Sequence, residues 1–289
     1  MQTIKSSIVP FSCFDKLKKD ISIFAQNNNL NNFQEWIVTE AYLLEPKLDF
    51  KPRSIISVAV STDLWNATFI HNGKKFNSIV EKSTSVTKAL KYLSDGNNYQ
   101  FFYNEWLPDK RIAVCSGLAE YGKNNICYVD GLGSLITLFT FISDMPAPKE
   151  YTWRNVCYMS MCENCVICQK NCPVDAILPN RFLIDIQNCM PTKNRYDDNP
   201  FPESIPKTAH HRTTFCSKCQ EDCPQNKDLF NNIKEVVDFS EEETSMLLSG
   251  VKIEDLPDAL LEKVNLCEMN EYYHIIPRNL KAYFESGNS

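Results

Sequence analysis

The sequence predicts an α+β protein with a mixed α/β domain first, a cysteine-built module second and a short helical extension last. Three observations carry that prediction. Helix-like and strand-like apolar patterns alternate through the first 150 residues, nine of the thirteen cysteines fall between Cys157 and Cys223, and helical patterning returns after residue 226. The expected segments are therefore 1–150, 151–226 and 227–289.

In chain order, Phe33, Trp36, Ile37, Ala41 and Leu44 recur at helical spacing until Glu45-Pro46 breaks the pattern. Residues 54–60 (SIISVAV) are rich in β-branched side chains and read as a buried strand. Ile79, Val86, Leu90 and Leu93 suggest one stripe of a second helix that stops at Asp95-Gly96, and residues 99–103 read as a strand. Pro108 suits a first helical turn and Gly117 a position just past a helix end, which places a short helix over 109–116. Two strands, 126–129 and 134–142, are expected to join across Asp130-Gly131-Leu132-Gly133, and 145–149 reads as a connector. Downstream, Ser240 with Glu243 forms a capping-box pattern, and 256–266 and 278–284 look helical.

With 289 residues, 43% hydrophobic and 23% charged, the composition is globular. It excludes a disordered, collagen-like or disulfide-dense small secreted protein. The N-terminus has no apolar signal core, and the longest mostly apolar run, 132–142, is shorter than the roughly 18 residues of a membrane span. A cytoplasmic protein with no membrane segment is expected, in which clustered cysteines are metal ligands or redox groups rather than disulfides. The net charge of −6 counts against a protein built mainly to grip phosphates. A local run of Lys193, Arg195, Lys207, His210, His211, Arg212 and Lys218 could face a nucleic acid or be a charged, solvated loop, which is the commoner case.

The chemistry lies in the cysteines. Cys162-x2-Cys165-x2-Cys168-x3-Cys172-Pro173 is the bacterial ferredoxin run, in which three closely spaced thiolates wrap one cubane and the fourth reaches a second. A shorter run, Cys216-x2-Cys219-x3-Cys223-Pro224, lacks its first member, which Cys189 can supply. Eight thiolates then match two 4Fe-4S clusters, one on Cys162, Cys165, Cys168 and Cys223, the other on Cys172, Cys189, Cys216 and Cys219. The competing reading is a pair of tetrahedral zinc sites. Cys13, Cys115, Cys127, Cys157 and Cys267 have no spacing partner and read as buried apolar residues, with Cys157 the nearest to the array.

Four of only eight glycines, Gly117, Gly122, Gly131 and Gly133, crowd just upstream of the array. They mark either backbone that approaches a bound group or two turns between strands. No dinucleotide fingerprint or P-loop is completed there.

Four stretches together resemble the epoxyqueuosine reductases, which share architecture with the reductive dehalogenases. They are Tyr42-Leu43 followed by Pro52-Arg53-Ser54-Ile55-Ile56-Ser57-Val58; Gly117-Leu118 with Gly122-Lys123-Asn124; the cysteine array, with Cys172-Pro173-Val174-Asp175-Ala176-Ile177 and Cys219-Gln220-Glu221-Asp222-Cys223-Pro224-Gln225-Asn226; and Arg278-Asn279-Leu280. The resemblance implies a cobalamin-reductase-like N-terminal domain and a two-cluster ferredoxin-like module that sends electrons to the cobalt. It implies that Gly117, Gly122, Lys123 and Asn124 lie beside the corrin, that a ferredoxin or flavodoxin type of donor supplies electrons, and that tRNA is a partner. Two departures stand out. Where the family pattern Val-Asp-Ser-Ala-Pro places its acid, gap-free counting from Gly117 places Tyr103, and Ala119-Glu120 replace Gly-Trp. Tyr103 is then the expected proton donor, although a free tyrosine, with a pKa of about 10, is a poorer acid than a raised carboxyl. The departures count against the epoxide substrate and tRNA. Two functions follow as expectations: an iron–sulfur oxidoreductase passing single electrons to a corrinoid or substrate, or an electron-transfer or corrinoid-reactivating protein without chemistry of its own.

Overall fold

The structure is a computed structural model that describes residues 2–27, 29–156 and 158–287. In chain order its strands and helices are β1 (Ile4–Pro10), α1 (Cys13–Asn27), α2 (Asn32–Trp36), β2 (Ser54–Ser61), β3 (Asp63–His71), β4 (Lys74–Lys82), α3 (Val86–Ser94), β5 (Phe101–Tyr103), α4 (Asp109–Cys115), β6 (Glu120–Tyr121), β7 (Cys127–Tyr128), β8 (Ile136–Ser143), α5 (Ile167–Asn171), α6 (Met190–Tyr196), α7 (Lys218–Glu221), β9 (Ile233–Phe239), α8 (Glu241–Ser249), α9 (Asp258–Leu266) and α10 (Ile276–Glu285). They form two compact units that are not contiguous in sequence. One holds Met1–Ser61, Thr84–Gly122 and Cys127–Ser160, the other Thr62–Ser83, Lys123–Ile126 and Met161–Ser289.

The first unit is built on an antiparallel sheet ordered β1-β2-β8-β5. Alternation along β2 sends Ile55 to one face, where it packs with Val9, Ile142, Phe14 and Leu17 of α1 and Ile112 of α4. Ile56, Val58 and Val60 go to the other face, against Ala89 and Leu93 of α3. Both faces are covered, so β2 is buried from Ser54 to Val60 and mostly apolar on both sides rather than alternating.

The second unit contains a β4-β3-β9 sheet, with β3 and β4 antiparallel and β3 and β9 parallel. Asn72 (φ 51°) and Gly73 (φ 70°) make the hairpin turn between β3 and β4, as the left-handed positions of a tight hairpin require. Phe69 and Phe239 stack at 4.7 Å across the β3/β9 pair. Leu247, Leu260, Val264, Ile276, Leu280 and Tyr283 from α8, α9 and α10 cover this sheet. Helix α8 has the expected capping box: Glu243 donates its backbone N–H to Ser240 Oγ at 3.2 Å, and Ser240 returns its own N–H to Glu243 Oε2 at 2.7 Å.

Several expectations need correction. Ile79 lies in β4, not on a helix with Val86, because the Asn72-Gly73 turn folds residues 63–82 into a hairpin before α3 begins. The helix expected from Phe33 through Leu44 is α2 followed by a single π-helical turn, Ile37–Ala41, where Tyr42 donates to the Ile37 carbonyl five residues back. The strands expected at 126–129 and 134–142 do not pair with each other. Cys127–Tyr128 pairs with Glu120–Tyr121, and β8 joins the four-stranded sheet. The C-terminal segment is not purely helical, since β9 completes the sheet begun by β3 and β4. Strand β1 and helix α1 were not anticipated at all. Among the described residues, no helix is long and apolar enough to cross a membrane.

Candidate metal centre

The cysteine region carries its thiols on short helical turns. Helix α5 carries Cys168 and ends at Cys172, whose extended backbone (φ −70°, ψ 111°) precedes Pro173. Helix α7 repeats the device with Cys219 and then Cys223-Pro224. The two helices pack together, and Asn171 donates its side-chain amide to Asp222 at 2.7 Å. Cys189 caps α6, with Pro191 in its first turn.

Several of the eight thiols lie within electrostatic range of one another. Burial raises the Cys162 thiol, the Lys123 backbone N–H opposes that rise, and nearby Cys223 and Cys165 add to it. Cys168 is pushed up to about 11 by burial and by Cys162, Cys165 and Cys223. Burial likewise pushes Cys216 up to about 11, against a Lys218 N–H and with a contribution from Cys172. Cys219 is raised well above an ordinary thiol by burial, Cys216 and Cys189, and it also lies within electrostatic range of Cys168. Ala176 donates its backbone N–H to Cys172 Sγ at 3.2 Å.

Such thiols give up their protons readily only to a metal that replaces the charge. A soft, all-sulfur donor set with N–H donors aimed at sulfur fits an iron–sulfur cluster. Among the described residues, no three His, Cys, Asp or Glu side chains close on a single ion.

Lys123 and Asn124 group with this module, while Gly117 and Gly122 belong to the N-terminal unit. The Lys123 ammonium donates to the carbonyls of Glu163 and Cys165, both at 3.0 Å. Asn124, 3% exposed, donates to the Cys219 carbonyl at 3.3 Å and accepts from the Ile126 N–H. Gly117 follows α4 with φ +78°, and a Cβ there would meet Thr152 Cγ2 at 3.1 Å. Contacts within the protein therefore account for Gly117, Lys123 and Asn124. The side chains of Lys123 and Asn124 are turned to the cysteine segment and do not fit a direct grip on a corrin.

In the N-terminal unit, Tyr103 lies on β5 with its ring against Phe139 and Phe141. Burial, then Asp109 and Glu105, raise its phenol, which makes it a weaker acid than free tyrosine. The acid that sequence reading passed over is Asp109 itself. Its Oδ1 is sealed from solvent with no hydrogen-bond partner. Burial, partly offset by Thr140, raises the carboxyl to about 7. Ser57, opposite Thr140 on the β2/β8 pair, also has a buried hydroxyl without a partner. Asp109 was read only as a helix-start residue, and nothing local in the sequence announces its burial.

Most of the basic run is engaged within the protein, while Lys207 is exposed. Arg212 pairs with Glu221 at 2.7 Å, Lys218 with the same carboxylate at 3.3 Å, and Lys193 with Asp197 at 3.0 Å. Arg195 donates to the Thr214 carbonyl, and His210 and His211 are buried with imidazoles pushed down by that burial. Of the unassigned cysteines, Cys13, Cys115, Cys127 and Cys267 are buried with raised thiols, and Cys157 lies outside the described residues.

Comparison with known proteins adds three findings. The family described as the 4Fe-4S double cluster binding domain matches residues 161–226, the stretch that contains all eight cysteines. The epoxyqueuosine reductase of Staphylococcus aureus (strain NCTC 8325 / PS 47) is 24% identical over 240 residues, covering 74% of this chain and 58% of that protein. That of Aliivibrio fischeri is 28% identical over 120 residues, 42% of this chain and 31% of that protein. The chain thus spans about half the length of the curated relatives it matches. Among solved structures, the epoxyqueuosine reductase of Streptococcus thermophilus matches with a TM-score of 0.56 at 15% identity, covering 98% of this chain and 77% of that one. A selenomethionine-labelled epoxyqueuosine reductase matches at 0.61 and 18% with the same coverage. A third, at 0.56 and 16%, was solved with an epoxyqueuosine-modified tRNA-Tyr stem loop. At these identities the structural likeness establishes the fold.

Proposed function

We propose, from the premise that the chain is a divergent relative of the epoxyqueuosine reductases carrying a 4Fe-4S double cluster binding domain, that it is an iron–sulfur reductase serving an acceptor bound by its N-terminal unit. What supports this reading is the match of residues 161–226 to a 4Fe-4S double cluster binding domain, with Cys168 near Cys162, Cys165 and Cys223, and Cys219 near Cys216, Cys189 and Cys168. Cys162, Cys165, Cys168 and Cys223 would hold one cluster and Cys172, Cys189, Cys216 and Cys219 the other. Such clusters exchange single electrons at potentials as low as about −700 mV. A low-potential ferredoxin or flavodoxin is the fitting donor.

The chain's own residues supply the rest. Backbone N–H groups of Lys123, Gln169, Ala176 and Lys218 stabilise charge on sulfur, and the Lys123 ammonium adds a fixed positive charge beside the first set. Reductive removal of an oxygen or halogen substituent consumes protons as well as electrons. Asp109, titrating near neutrality, is the group of the N-terminal unit best suited to hold one. The resemblance adds a corrinoid, but with Lys123 and Asn124 committed elsewhere no step is derived through one. The ion-paired state of Arg212, Lys193 and Lys218 is why tRNA is not the acceptor we favour.

The second reading, electron transfer without substrate chemistry, is favoured by the weak acidity of Tyr103. Anaerobic reconstitution with iron and sulfide, followed by single-turnover oxidation by epoxide, organohalide or tRNA acceptors, separates the two. Eight irons with turnover supports the reductase, and eight irons with electron transfer only to a partner protein supports the carrier. Stoichiometric zinc in place of iron would overturn both.

A further inference from the structure

Cys189 and Cys216 are separated by 26 intervening residues, so contacts beyond their own turns have to bring them into one set. Helix α6, which Cys189 caps, has only seven residues, and its last four carbonyls lack partners within the helix. Side chains from α10 supply partners for two of them, and for two carbonyls just beyond the helix. Arg278 donates through Nη2 to the Lys193 carbonyl at 2.7 Å, and through Nη1 to those of Asn199, at 2.6 Å, and Asp197. Its guanidinium also stacks on the Phe201 ring at 4.1 Å.

Asn279 completes the device. It is 2% exposed, and its amide donates to the Asn194 carbonyl at 2.9 Å and to the Thr213 carbonyl at 2.8 Å. One side chain, with two N–H donors, thus ties the segment that follows Cys189 to the segment that precedes Cys216. Its Oδ1 in turn accepts from Arg278 Nη2 at 2.8 Å, which fixes the amide's orientation.

We infer that Arg278 and Asn279 form a clamp that positions Cys189 and Cys216 for the second cluster, so that the C-terminal helices are needed for its assembly and not for that of the first. The clamp rests on the ligand partition proposed above and is independent of substrate and of any corrinoid. Arg278 and Asn279 are positioning residues, since they touch backbone carbonyls and no thiol.

The test compares wild type, Arg278→Ala, Asn279→Leu and Arg278→Lys, each reconstituted anaerobically and read by iron content and by EPR of the dithionite-reduced protein. Each of the first two variants should fall from eight irons per chain, the content of a 4Fe-4S double cluster, toward about four, losing one cluster signal and keeping the other. Arg278→Lys keeps the charge without the planar fork and should recover part of the missing signal. Leu280→Ala removes buried bulk from the same helix while leaving both clamp donors. It should lower the melting temperature and retain both signals, which separates positioning from loss of fold. Wild type holding fewer than two clusters would overturn the ligand partition itself. Wild type holding two, with both clamp variants also holding two or losing both equally, would overturn the clamp alone.

Discussion

The Lys123 ammonium donates to the carbonyl of Cys165 at 3.0 Å, which fixes a positive charge beside the first thiol set. Reduction adds negative charge to a cluster, so a nearby cation favours the reduced form. Lys123→Gln should therefore lower the potential of one cluster by tens of millivolts, where about 59 mV is a tenfold change for one electron. The other cluster should be unmoved. Potentiometric EPR titration checks this, and two unchanged potentials would sink it.

Asp109 makes stability depend on pH in a stated direction. Its folded-state pKa of about 7 lies above the ordinary 3.8, so the folded chain binds the proton more tightly than the unfolded one. Stability from this group is fully present below about pH 4 and is lost as pH rises through about 7. Asp109→Asn removes that loss. The variant should gain relative to wild type between pH 5 and pH 8, by up to a few kcal/mol. Urea unfolding of both proteins at the two pH values measures it, and an equal difference at both would refute the assignment.

Gly117 and Gly96 share a left-handed backbone, at φ +78° and +71°, but differ in surroundings. A Cβ at Gly96 meets nothing within 4 Å, whereas at Gly117 it presses on Thr152. Gly96→Ala should cost about 1 kcal/mol from conformation alone and Gly117→Ala about 1 kcal/mol more. Thr152→Ser, which deletes the nearest carbon, should return most of the excess in a double-mutant cycle. Additive effects would show that the contact carries no cost.

The capping box at α8 gives a local prediction. Ser240→Ala leaves the Glu243 N–H without its acceptor and should destabilise the chain by about 1 kcal/mol. Both clusters should be retained, because α8 packs on the β3/β9 sheet. Chemical denaturation together with the iron content tests both halves.

Legibility from sequence followed the range of the interactions involved. The capping box at Ser240, the helix after Pro108 and the strand at 54–60 are local, and each appears where its residues imply. The β3/β4 hairpin carried a local signal too, Asn72-Gly73, but a helical stripe through Ile79 obscured it. β9 was harder, because a strand with Val236 exposed and Val237 buried has meaning only beside β3, more than 150 residues earlier. In the candidate site, the spacing of Cys162, Cys165, Cys168 and Cys172 was readable because one turn sets it. The loop residues Lys123 and Asn124 were readable as unusual but not as partners of Cys165 and Cys219.

The sequence by itself determined that eight cysteines lie in two ferredoxin-like runs with one outlying member, since covalent spacing limits which thiols can share a metal. Only the tertiary structure shows the long-range contacts around the helix that follows that outlier. Arg278 and Asn279 donate to the Lys193 and Asn194 carbonyls in the last turn of α6, and a buried carbonyl must find a donor somewhere. Tertiary packing alone also made Asp109 an acid near neutrality, because a carboxyl's pKa depends on the water that other parts of the chain exclude from it.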